Sequence, residues 1–125
     1  MTVNLTQSGK ELALKNIVGR TFSTNLYAKL YTNNVSLSNS TFLGDIEECQ
    51  VNGYSPIQLL QSNWTFQDGT ASYLTINFNL NEETTIYGHY VTQNDVLLYI
   101  EPFGSSIDID SNGGIVHVDI NIGFL

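Results

Sequence analysis

Residues 73–80 read Tyr73-Leu74-Thr75-Ile76-Asn77-Phe78-Asn79-Leu80, so that Leu74, Ile76, Phe78 and Leu80 alternate with polar Thr75, Asn77 and Asn79. Successive side chains of a strand point to opposite faces. A period of two therefore describes a strand with one face in a core and one in water, as in an antiparallel sheet. The same period occurs upstream, where Leu26, Ala28 and Leu30 alternate with Tyr27, Lys29 and Tyr31. Downstream, Thr84 to Thr92 is rich in β-formers, Asn94-Asp95 supplies a turn and Val96 to Ile100 is apolar, which predicts a hairpin. A further hairpin is expected from Ser106 to Asp110, a turn at Ser111-Asn112-Gly113-Gly114, and Ile115 to Ile122, because Asn-Gly tolerates the positive φ of tight turns.

One helix is predicted. Ser8-Gly9-Lys10-Glu11 has the spacing of a capping box, Leu14, Ile17 and Val18 share a face within Leu12 to Val18, and Gly19 can end the helix. Thr32 to Thr41 reads as a surface loop, and Phe42 to Leu60 is broken by Gly44, Gly53 and Pro56. Strands in succession with a single short helix predict antiparallel sheets packed as a sandwich or closed as a barrel, and exclude a parallel α/β fold. With 125 residues, one domain over 1–125 is expected.

Only 13% of the residues are charged and the net charge is -8, a field that repels phosphate backbones and anionic headgroups. Nucleic acid and membrane partners are therefore not expected. Met1 to Gly9 carries neither the basic start nor the apolar stretch of a secretory signal, which predicts synthesis and folding in a cytoplasm. The single cysteine, Cys49, permits no disulfide within the chain and follows Glu47 and Glu48, whose charges oppose a thiolate; a passive, buried thiol is expected. The sequons starting at Asn4, Asn34, Asn39 and Asn63 are read as coincidence in an Asn-rich chain.

Three constellations could carry chemistry. Asp108-Ile109-Asp110-Ser111-Asn112-Gly113, followed by Asp119, spaces oxygen ligands like a calcium loop, but its flanks alternate as strands, so a plain turn is expected. His89 and His117 each sit in a strand without a nucleophile or second ligand at motif spacing and are expected to be ordinary cross-strand or rim histidines. The pairs Glu47-Glu48 and Glu82-Glu83 place adjacent acids on opposite faces of a strand, so neither pair makes a shared acid/base site. No catalytic, cofactor or metal residue is assigned, and no enzyme activity is expected. Of the aromatics Tyr27, Tyr31, Tyr54, Trp64, Tyr73, Tyr87 and Tyr90, Trp64 is expected in the core and some of the tyrosines at an interface, or else on a sugar-stacking face.

The order of features resembles short tailed-phage virion structural proteins of the tail-fibre-like or head-decoration type. The resemblance rests on Leu12 to Thr21, Asn25 to Asn34, Asn52-Gly53-Tyr54, Thr75-Ile76-Asn77-Phe78, Ile86 to Val91 and Leu97-Leu98-Tyr99. The chain departs from that pattern at Gly113-Gly114-Ile115, where a glycine and then a polar residue would be expected. The resemblance implies an antiparallel, jelly-roll-like β-sandwich with one short N-terminal helix, acting as a capsid decoration or cement protein on the virion. A tail, collar or fibre component and a carbohydrate-binding module are the alternatives. The implied partners are other copies of the chain, as a trimer, and a major capsid protein. Leu26 to Tyr31 and Ile115 to Ile122 hold just one basic residue or proline between them, Lys29, and are expected to be edges that a partner covers.

Overall fold

The structure, a computed structural model, describes residues 26–38, 43–93 and 96–123. The expected helix over Leu12 to Val18 and the Asn94-Asp95 turn lie outside the described residues. Those described form a mainly β fold of antiparallel sheets. Its strands are β1 (Leu26–Tyr31), β2 (Ile57–Gln58), β3 (Trp64–Gln67), β4 (Thr70–Tyr73), β5 (Ile76–Leu80), β6 (Thr84–Gln93), β7 (Val96–Ile109), β8 (Gly114–Val118) and β9 (Asn121–Gly123). They are arranged as β2-β1-β6-β7, β3-β4-β9 and β5-β8.

Leu26, Ala28 and Leu30 of β1 are buried as the alternation requires, and they join one apolar cluster with Val91, Ala71, Ile76, Phe78, Leu80, Val116, Val118 and Ile120. All three sheets thus contribute to the same core. Burial of apolar surface at roughly 25 cal/mol per Å² is what holds them together, with no disulfide available.

Residues 73–80 are not one strand. Ladder β4–β9 pairs Ser72 with Asn121, and ladder β5–β8 resumes at Ile76 with Val118, so residues 73–75 face only 119–120. The extra residue advances the side-chain phase by one and bends the chain, as a bulge does. Leu74 is consequently 61% exposed, against expectation, whereas Ile76, Phe78 and Leu80 are buried. The bend is held by Tyr73 N–H donating to the Ile120 carbonyl at 3.0 Å and by Thr75 Oγ1 donating to Asp119 at 2.6 Å.

The hairpin expected across Ser111–Gly114 is corrected in the same way. The turn forms, with Gly113 N–H donating to the Asp110 carbonyl at 2.9 Å. Its arms part company, however: β7 pairs with β6, and β8 with β5. The turn is a corner between sheets. An Asp68-Gly69 turn, with φ of 52° and 75°, joins β3 to β4. Both positive φ values suit the twist of a two-residue hairpin.

β1 is an interior strand, and its expected role as an open edge is overturned. β6 covers one side along its whole length. On the other side, β2 pairs with Tyr27 and Ala28, Leu59 N–H donates to Leu26 O at 2.8 Å, Cys49 N–H to Leu30 O at 2.9 Å, and Thr32 N–H to Glu47 O at 2.9 Å. Leu30 N–H donates to the Tyr54 hydroxyl at 3.3 Å, so a side chain completes the ladder where the backbone does not.

Candidate functional site

The β6–β7 hairpin forms as expected and is the longest pairing among the described residues, but its register breaks twice. Val91 pairs with Tyr99 and Thr92 with Leu97, leaving Leu98 over; Ile86 pairs with Ile107 and Gly88 with Pro102, so Tyr87 alone faces residues 103–106. Between the breaks lie the rungs Val91–Tyr99, Tyr90–Ile100, His89–Glu101 and Gly88–Pro102. Gly88 is required there: a Cβ would stand 2.4 Å from the Glu101 carbonyl oxygen and 2.5 Å from the Tyr31 hydroxyl.

His89 lies in this segment, opposite Leu30 of β1, and is only 1% exposed. It is not a rim residue. One ring nitrogen, Nε2, is 2.7 Å from the Tyr99 hydroxyl, while Nδ1 is buried with no hydrogen-bond partner. The Tyr99 ring meets the imidazole edge-on at 5.6 Å and the Phe103 ring lies tilted at 6.1 Å. Burial lowers the pKa of His89 from 6.5 to about 4, and burial together with the Glu101 charge raises that of Tyr99. His117 is the opposite case: exposed on β8, with Nδ1 bonded to Asn77, its cross-strand partner on β5.

The carboxylates of the calcium-like segment diverge. Asp108 accepts from Thr85 at 2.8 Å, Asp110 accepts from the N–H of Asn112 at 2.9 Å in the turn, and Asp119 takes the Thr75 hydroxyl. No group of three or more His, Cys, Asp or Glu able to hold a metal occurs among the described residues.

The pair Glu47-Glu48 meets one member of the other pair, Glu82. Glu47, Glu48 and Glu82 line a cavity of about 660 Å³ together with Lys29, Thr32, Thr84 and Tyr90. Lys29 Nζ stands 6.0 Å from the centre of the Tyr90 ring. Two of the carboxylates are engaged: Glu48 accepts the Tyr54 hydroxyl at 2.7 Å, and Glu82 accepts Asn52 N–H at 2.6 Å. Cys49 is buried beside Glu48 in sequence; burial and then the Glu48 charge push its thiol pKa up, against a backbone hydrogen bond at Val51.

Trp64 is buried as expected, with Tyr73 edge-on at 4.9 Å. Tyr31 and Tyr90 are buried, the other five tyrosines are half-buried, and several hydroxyls are used internally. Tyr73, for example, accepts from Leu60 N–H at 2.9 Å and from Asn63 at 3.1 Å.

The remaining surface of note is the outer side of β7. This strand of 14 residues is paired on one side only among the described residues. Its first residue, Val96, is 62% exposed. Fold and site together define a class, an antiparallel β fold with a long strand edge left open among the described residues and a core histidine behind it. Comparison with family models, curated proteins and solved structures matches nothing to the chain.

Proposed function

We propose that this chain is a non-enzymatic phage virion protein, a jelly-roll-like β-sandwich that decorates and cements a capsid shell. The observation that carries this reading is the β7 edge. An unpaired strand edge is a template for another chain, and monomers usually guard it with lysine, proline or bulges. Pro102 and the irregular residues 103–106 guard the second half of β7, whereas Val96 to Glu101 has neither a basic residue nor a proline and is interrupted only by the register break at Leu98. That stretch pairs with an open edge on the next copy, such as β8, where Ile115 is 54% exposed, and so closes a trimer. The acidic exterior suits a subunit held on the outside of a shell, after synthesis in the host bacterial cytoplasm. The major capsid protein is its second partner; nucleic acid and membrane are not partners. A tail, collar or fibre subunit would use the same edge.

Sedimentation over a wide concentration range, combined with mixing onto capsids that lack the protein, tests this reading. Val96→Lys, which places a charge at the start of this stretch, is expected to abolish self-association and capsid binding while leaving the fold intact. A wild-type chain that stays monomeric and binds no capsid would sink the assembly reading and shift weight to glycan binding.

A further inference from the structure

We infer that His89 makes residues 99–102 of β7 an acid-operated segment, which is closed on β6 while the imidazole is neutral and comes away when it takes up a proton. The inference concerns the isolated chain and does not depend on the proposed assembly.

The geometry gives the neutral ring a place and the charged ring none. A neutral imidazole needs one donor and one acceptor satisfied at most, and the Tyr99 hydroxyl can serve Nε2 in either sense. An imidazolium has two N–H donors. Its Nδ1–H would point into a buried site without an acceptor, and an unpaired buried charge is far costlier than an unpaired neutral group. The described groups around it offer no compensation. β1 presents Leu30 opposite the ring, with Lys29 and Tyr31 on the other face of that strand. β7 presents Tyr99 and Phe103. The only carboxylate paired to it by register, Glu101, is exposed and acts on Tyr99, while burial alone accounts for the lowered basicity of His89.

The fold also determines which part yields. On the β1 side the ladder is continuous from Leu26 to Tyr31. On the β7 side the four rungs at 99–102 are cut off at both ends by the register breaks, and Pro102 has no N–H to contribute. Release of that segment needs no disruption of β1, brings water to Nδ1, and lets the imidazolium approach the Glu101 carboxylate. Local openings of this kind cost less than global unfolding and are visible as lost amide protection.

The test is residue-resolved amide exchange and imidazole titration by NMR on the full chain between pH 7 and 4. After correction for intrinsic exchange, the amides of Tyr99 and Glu101, the two in the segment that face β6, are expected to lose protection on the order of a hundredfold, following the pKa displacement. Those of Ala28 and Lys29 should hold. His89→Phe should remove the transition and His117→Asn should leave it in place. A His89 ring that titrates at its ordinary value, simultaneous loss at β1 and β7, or an unchanged transition in His89→Phe would each overturn the inference. Should His89→Phe not fold, the wild-type titration and the contrast between the two strands still decide.

Discussion

The two sides of the four-stranded sheet solve the same problem differently. Beyond β1, the sheet is finished by whatever the chain brings near: a two-residue strand, the amides of Cys49 and Leu59, and the phenol of Tyr54. Beyond β7, no described residue plays that part. The closed side carries a short strand with clean alternation and an internally bonded loop. The open side carries a long strand with two register breaks, a proline and a buried histidine. Alternation in sequence marks a strand, and it does not mark which side of the sheet is free.

The largest expected effect that separates the sides is acid. The folded pKa of His89, about 4, lies below the unfolded value of 6.5, so the unfolded chain binds the proton more readily. Its contribution to stability is intact above pH 6.5 and declines as the pH falls to 4, by about 3 kcal/mol in all. Urea unfolding at a series of pH values should show this loss, and His89→Phe should flatten it within that window. Next comes Gly88→Ala, which drives a methyl into the Glu101 carbonyl and should cost about 2 to 3 kcal/mol, with exchange protection lost first on β7. Tyr54→Phe strikes the closed side. It strands the Leu30 N–H and leaves Glu48 without its donor, for about 1 to 2 kcal/mol, with exchange rising at Leu30 and not at Glu101. Smallest is Val96→Lys, expected to stay within about 0.5 kcal/mol by thermal melting at concentrations where both chains are monomeric, since the site is already exposed. A large destabilisation there would mean that the outer edge of β7 is covered within the chain itself.

Much of the fold was legible in the sequence: the buried faces of β1 and β5, the β6–β7 hairpin, the buried Trp64 and the buried Cys49 all follow from period, turn chemistry or size. What escaped has a common cause. The bulge at 73–75 inserts a residue without interrupting the apolar pattern, so Leu74 looks like its neighbours and points the other way. The Ser111–Gly114 turn looks like a hairpin because turn chemistry fixes a local reversal and says nothing about which sheet each arm joins. The Asp68-Gly69 turn was readable by the same chemistry and was missed. At the candidate site, Glu47 and Glu82 converge only through pairings remote in sequence. The burial of His89 depends on its cross-strand neighbours Leu30 and Tyr99, which a single strand's pattern does not reveal.

The offset ladder at 73–75 also has a bearing on the order in which the molecule can assemble. Thr70 waits for Gly123 and Ile76 for Val118, so among the described residues β4 and β5 have no outer partner until β9 and β8 arrive. Closing loops of that span precedes any reward from the contacts, which slows folding relative to a fold of local hairpins. During synthesis, β1, β6 and β7 can meet first, while Ile76, Phe78 and Leu80 remain uncovered on one side. Until residues 114–123 have left the ribosome, that apolar row is the part of the nascent chain most open to misassociation and most suited to a chaperone.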